Sequence, residues 1–442
     1  MGGIITQMWP PKPVFTEKNL GDLSGKVYIV TGSNTGVGKE LAQILYSKGA
    51  TVHVAARSEA KATEAIGDIR AAFPTSTGRL EFLALDLSDL RSVAGSAKEF
   101  ITRESKLDVL FNNAGVMHPP QGSTTKQGYE LQLGVNNLGH LLFTELLTPL
   151  LATTAASYPV SSANTVRVVW VSSLYSEIGS PKGGFDPENM GFAKREQSTY
   201  YKYSVSKAGV YYQAAEYAKR YKDKGIISLA VNPGNLRSDL QRYGGQGLLQ
   251  KINQKVILFP AINGAYSELF CGLSPEVTAD KSGSYAIPWG RFAKIREDIE
   301  KGSKSTKEGG TGLGKICSCH SIINAAYEEW TVKRIRDSGT STQMVHLPLE
   351  LPQEMVQRRL LSIDGLSPSP SASQSKKPPF ALEEGSVLSY NTAFEFGQGI
   401  YHCWYSAGYR VPHFDEDHSR QCWNSQAALS MQTTRRETRL VA

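Results

Sequence analysis

In the stretch YSVSK, Tyr203 and Lys207 stand four positions apart, one turn of a helix, so both side chains share a face. The two types together can move a proton. A free phenol has a pKa of about 10 and exchanges protons poorly at neutral pH. An ammonium beside it favours the phenolate, which lets the pair serve a carbonyl or hydroxyl oxygen as acid or base. On an arbitrary helix the same pair is a ring at the edge of the core and an ammonium in water. The local stretch leaves both readings open. A second stretch, TGSNTGVG (31–38), carries Gly32, Gly36 and Gly38 directly after an apolar strand-like run and directly before a helical one. Glycines there allow a tight turn, close approach of backbone to a phosphate and close packing of helix on strand. The helix N-terminus then offers free N–H groups to an anion. Glycine also marks ordinary turns; the strand–turn–helix setting is what favours a nucleotide.

These residues need a frame to hold them. KVYIV (26–30), TVHVA (51–55), LEFLAL (80–85), DVLFN (108–112), VRVVWV (166–171) and IISLAV (226–231) are continuous apolar runs of strand length. Such runs predict strands buried on both faces, hence a parallel sheet covered by helices. GKELAQILYSKG, EAKATEAIGDIRAAF and LRSVAGSAKEFITRES lie between them with apolar residues at helical spacing, and Gly49 closes the first. The alternation predicts a doubly wound α/β domain, a Rossmann-type parallel sheet with helices on both faces.

The turn is spaced GxxxGxG, and with it the sequence resembles the short-chain dehydrogenase/reductase family. NNAG (112–115) matches the family segment that supports the sheet and borders the cofactor, which includes Asn113. Asp86, after the third strand, matches the carboxylate that meets the adenine ring. VNNLGH (135–140) places Asn136 on the active-site asparagine. In VSSLYS (171–176), Ser173 fits the catalytic serine better than Ser172. YSVSK supplies Tyr203 and Lys207, and NPGNLRS (232–238) matches the PGxxxT segment through Pro233, with Ser238 in place of the threonine. The resemblance spans roughly residues 20–300. It implies that Tyr203 is the general acid/base during hydride transfer, that Ser173 fixes the reacting oxygen, and that Lys207 also binds the nicotinamide ribose. It further implies that Asn136 holds a water beside Lys207. Ser33, Asn34 and Val37 complete the cofactor-binding turn, with Asn34 facing a phosphate.

NAD-preferring relatives carry an acid at the end of the second strand. Here VHVAARS puts Ala56 there, followed by Arg57, so a 2′-phosphate meets a guanidinium and no carboxylate. NADP is the expected cofactor. The long insert between Ser173 and Tyr203 resembles those of retinol dehydrogenase-like and fungal members, which implies an apolar or aromatic substrate of secondary metabolism. Residues 239–259, amphipathic with Leu, Ile and Val, read as its lid.

Composition excludes several classes. The chain has 442 residues, 40% hydrophobic and 20% charged, which suits a globular protein with a large core. The longest apolar stretch, LLFTELLTPLL, is too short for an integral membrane span. A net charge of +7 without a basic block argues against nucleic acid and suffices for an anionic small ligand. Five scattered cysteines fit reduced thiols in the cytoplasm. No secretory leader is legible; MGGIIT fits a loose acylation pattern at Gly2, which keeps a membrane-surface enzyme as one alternative. CSCH (317–320) with His402, Cys403, His413, His418 and Cys422 lacks regular ligand spacing, so no metal is expected. His140, within an apolar helical stretch, reads as packing. The expected organisation is an N-terminal extension (1–23), the dehydrogenase/reductase domain (24–300), a linker with a last helix (301–337) and a mostly disordered tail (338–442). That tail holds nine basic and ten acidic side chains, so the positive excess lies before it. The expected partner is a carbonyl or alcohol small molecule, with a homodimer compatible. The rival from another class is a scaffold that binds nucleotide without turnover.

Overall fold

In the computed structural model the described residues are 3–159, 164–237, 258–317, 389–396 and 399–406. Eight strands make one sheet: β1 (Val27–Thr31), β2 (Thr51–Ala56), β3 (Arg79–Ala84), β4 (Val109–Asn112), β5 (Arg167–Val171), β6 (Ile227–Val231), β7 (Tyr285–Ile287) and β8 (Arg291–Ala293). Their order is 3-2-1-4-5-6-7-8, parallel except for β8, which runs antiparallel to β7. The first six fall within a residue of their expected ends. The central strands are mostly apolar because both faces are covered: Val27 and Ile29 enter one core, Tyr28 and Val30 the other. The edge strand β3 is less so, with Arg79 exposed and Glu81 half-buried. The three-residue strands β7 and β8 were not expected. They are too short to show a period of two.

Helices α1 (Gly36–Ser47), α2 (Glu59–Ala72) and α6 (Ala261–Leu273) contribute to the second core. Helices α3 (Leu90–Arg103), α4 (His140–Ser157) and α5 (Thr199–Tyr221) line the first. Gly49, at φ 86°, ends α1 in the left-handed conformation that glycine adopts without strain. The Ser198 hydroxyl accepts from the Tyr201 amide at 3.2 Å and so starts α5, the helix that carries Tyr203 and Lys207. The sheet order reverses between β1 and β4. Ligands in such sheets bind beyond the strand carboxyl ends at that crevice.

A second unit spans residues 350–442. Its described part is an antiparallel pair, Ser389–Phe396 with Gly399–Ser406. The expected lid, apart from residues 258 and 259, the expected helix over 327–337, and Ser238 lie outside the described residues.

Candidate active site

The Gly-rich turn joins β1 to α1. Gly32 and Gly36 have φ of 71° and 57°, which side-chain-bearing residues rarely adopt. At Gly38 a Cβ would lie 2.6 Å from Asn113 Nδ2 and 2.9 Å from the Gly32 carbonyl, so only glycine lets helix meet strand. Ser33 is buried and donates to the Val30 carbonyl at 2.7 Å, which uses its hydroxyl to shape the turn. Asn34 and Val37 are half-buried, and Val37 lies against the position of Gly264 on α6. The first turn of α1 has no acidic residue and no side-chain cap bond. Its amides are therefore suited to an anion.

NNAG braces this turn from β4. Asn113 Nδ2 donates to the Thr31 carbonyl at 2.7 Å, and the Ala114 amide donates to Thr31 Oγ1 at 2.9 Å. His140 joins the same network, with Nε2 3.1 Å from Thr31 Oγ1. Burial, then the Lys207 charge, pushes its pKa down to about 3, so it stays neutral and acts as a brace. Asp86 is half-buried, and its Oδ1 accepts from the Ser88 amide and hydroxyl at 3.0 and 2.6 Å. Arg57 follows β2 directly, is exposed, and has no carboxylate partner among the described residues.

Asn136 sits in a π-helical turn, Gly134–Gly139, that leads into α4. Turns of this kind interrupt the regular helix and recur at functional positions. Its Oδ1 accepts from the Val116 amide at 2.9 Å, and its Nδ2 donates to the Val116 carbonyl and Ser206 Oγ, both at 3.0 Å. A Cβ on Gly115 would stand 3.3 Å from Asn136 Oδ1 and 3.6 Å from Lys207 Nζ. The glycine of NNAG thus keeps the space between those two residues open.

Tyr203 and Lys207 are both buried on α5. Lys207 Nζ lies 5.7 Å from the centre of the Tyr203 ring and donates to the Val171 carbonyl at the end of β5, at 2.8 Å. The Ser173 side chain lies near the Tyr203 phenol, and its hydroxyl oxygen accepts from the Tyr175 amide at 3.3 Å. Ser172 points elsewhere, with its hydroxyl on the Lys207 carbonyl at 2.7 Å. Burial raises the Tyr203 pKa, an effect the nearby Ser173 hydroxyl opposes. Burial also lowers Lys207 to about 8, opposed by the Glu268 charge. Pro233 follows Asn232, whose Oδ1 accepts from the Gly234 amide at 3.0 Å and tightens the loop after β6.

The sequence reading missed three groups near this site. His118 and Tyr175 pack on the Tyr203 ring, centred 5.6 and 5.5 Å from it, and Tyr200 packs on both of them. Gln132 holds the His118 amide at 2.9 Å from a buried position. Glu268 on α6 is fully buried, and both of its carboxylate oxygens lack a hydrogen-bond partner. None of these residues follows a periodic pattern that marks it from the chain alone. Among the described residues no cluster of His, Cys, Asp and Glu could hold a metal.

A doubly wound sheet with a glycine turn at its switch point, beside a Tyr–Lys–Ser cluster, defines a dinucleotide-binding oxidoreductase class. The sequence comparisons agree. The family model described as short chain dehydrogenase matches residues 26–184. A short-chain dehydrogenase/reductase of Phomopsis amygdali is 48% identical over 313 residues, covering 70% of this chain and 92% of that protein. One from Neocamarosporium betae is 47% identical over 311 residues, covering 70% and 88%. A third, from Emericella nidulans, is 46% identical over 299 residues, covering 67% and 94%. The chain belongs to the short-chain dehydrogenase/reductase family.

Proposed function

We propose that the protein is an NADP(H)-dependent oxidoreductase that interconverts a carbonyl and an alcohol on a lipophilic or aromatic small metabolite. The observation that carries this reading is the meeting of the Tyr203 phenol, the Ser173 hydroxyl and Lys207 at the carboxyl end of β5. The donor set suits the dinucleotide. With the dinucleotide bound, amides of the turn from Gly32 to Gly38 would meet the pyrophosphate, Arg57 the 2′-phosphate, Asp86 the adenine and Lys207 the ribose. Asn113 and Pro233 would border the rest. Bound NADP(H) supplies the hydride donor or acceptor.

The chain's own residues manage the proton. Ser173 fixes the substrate oxygen, and Tyr203 gives it a proton from Oη or takes one from it. Lys207, on the next turn, stabilises the phenolate that remains. Asn136 and Lys207 flank the gap kept by Gly115, and a water there completes a path for replacing the proton. The apolar or aromatic substrate class draws support from the rings of His118 and Tyr175 beside Tyr203, with Tyr200 packed on them. We place the enzyme in the cytoplasm on its cysteine usage; Cys271 is a buried free thiol. No described helix is long and apolar enough to cross a membrane.

The test is a panel of carbonyls and alcohols followed by NADPH absorbance, repeated with Tyr203→Phe. The variant should keep its fold and NADPH binding and lose at least about a hundredfold in turnover. Near wild-type turnover by Tyr203→Phe would sink the mechanism. A binding-only scaffold predicts that nothing in the panel turns over.

A further inference from the structure

The N-terminal segment reaches the catalytic end of the sheet through one buried side chain. Gln7 lies in the short helix Ile4–Met8, and that helix is turned against the usual amphipathic sense. Gln7 is 3% exposed, while Ile5 and Trp9 are 72% and 53% exposed. Apolar burial is therefore not what docks it; hydrogen bonds are. Gln7 Nε2 donates to Glu177 Oε1 at 2.8 Å, and Gln7 Oε1 accepts from Asn232 Nδ2 at 2.8 Å. Arg291 on β8 adds a bond to the Thr6 carbonyl at 2.7 Å.

The two partners of Gln7 belong to the two loops that border the reaction. Glu177 lies in the turn Tyr175–Ile178, just after Ser173, and the Tyr175 ring packs 5.5 Å from that of Tyr203. Asn232 opens the loop after β6, where it holds the Gly234 amide beside Pro233. A carboxylate needs a donor, and an amide N–H needs an acceptor. One neutral amide meets both demands at once.

We propose that Gln7 is a positioning residue of the active site, bridging the loop that carries Ser173 and Tyr175 to the loop that carries Pro233 and Gly234. The catalytic part of this proposal rests on the function proposed above; the bridge itself does not.

Two measurements on the full chain test it. The first is hydrogen–deuterium exchange of wild type and Gln7→Ala without substrate. Exchange should speed up at least about tenfold in residues 173–180 and 232–236 and stay unchanged in β1 and β4. The second is steady-state kinetics on a carbonyl that the wild type reduces. Gln7→Ala should lose at least about tenfold in kcat while its NADPH Kd stays within about twofold. Gln7→Glu keeps the acceptor for Asn232 and places two carboxyls together. Burial already raises the Glu177 pKa, so at lower pH the two carboxyls share a proton and the bridge is restored. The other groups facing Glu177 are Arg296, whose Nη1 bonds its carbonyl, and Tyr285. Relative to wild type, the kcat deficit of Gln7→Glu should therefore shrink as pH falls, and that of Gln7→Ala should not. Unchanged exchange in the two loops overturns the bridge. Faster exchange with unchanged kcat overturns the positioning role and leaves the Tyr203 reading intact. If the wild type turns over nothing, the site reading and the positioning role both fail, and the exchange data alone decide the bridge.

Discussion

Cofactor choice is open to a quantitative test at Arg57. Arg57 is exposed just past the buried Ala56 and has no carboxylate partner among the described residues. A hydrogen bond to a charged group contributes about 1.5–3 kcal/mol, whereas an exposed ion pair contributes about 0–1 kcal/mol. The exposure of Arg57 sets the expectation at the lower end of the first range, about 1.5 kcal/mol, or roughly tenfold in Kd. Arg57→Ala should thus weaken NADPH about tenfold and leave NADH almost unchanged. The Debye length falls from about 10 Å at 0.1 M salt to about 3 Å at 1 M, so the effect should shrink as salt is added. Titrating each nucleotide into wild type and variant by calorimetry at low and high salt reads both effects. Wild-type protein that binds NADH as tightly as NADPH, or a variant that loses both equally, would refute the reasoning.

Three further perturbations follow from the structure. Ser173→Ala should slow turnover with little change in cofactor affinity, while Ser172→Ala should mainly cost about 1 kcal/mol of stability by freeing the Lys207 carbonyl; parallel kinetics and thermal melts distinguish them. Burial raises Glu268 from its usual 4.5 to about 8, so the folded state keeps a proton that the unfolded state releases, and stability falls as pH rises across that window. Glu268→Gln should remove this dependence, gaining on wild type between pH 5 and 8 by at most about 1.4 kcal/mol per pH unit, and a flat difference in melting would contradict it. A chain ending at Asp337 should fold and bind NADPH as the full chain does, which soluble expression and titration would check.

What the sequence made legible was whatever repeats or sits at a fixed spacing. The six longer strands show as apolar runs because two covered faces favour apolar residues at successive positions, as Tyr28, Ile29 and Val30 illustrate. Gly38 was readable because helix and strand approach too closely there for any side chain. Tyr203 and Lys207 were readable because one turn of α5 separates them. Gln7 was not, since its partners Glu177 and Asn232 lie 170 and 225 positions away and a hydrogen bond leaves no periodic trace. The same holds for the ring of Tyr200 beside His118 and for Glu268, whose burial depends on how α6 meets the sheet. The expected lid and Ser238 fall outside the described residues, so their part in the site stays an expectation.

The local argument from Tyr203 and Lys207 also changes once burial enters. Spacing alone suggests an ammonium that draws the phenol toward its ionised form. In the folded chain the larger effect on each group is the loss of water. Burial raises the tyrosine and lowers the lysine, and both shifts favour the neutral species. The protein's own residues therefore leave the proton on the phenol, which is the form the proposed mechanism needs to deliver a proton to a carbonyl oxygen. At about 8, Lys207 is still mostly charged at neutral pH, so an ammonium is in place when the proton leaves. Its bond to the Val171 carbonyl keeps that charge at the end of β5, at 2.8 Å. The gap beside Gly115 keeps the same charge open toward Asn136. In the proposed mechanism the pair acts together because the sheet end fixes the lysine while α5 fixes the tyrosine. The spacing of four gives only their shared face; the depth at which that face is buried sets how firmly the phenol holds its proton.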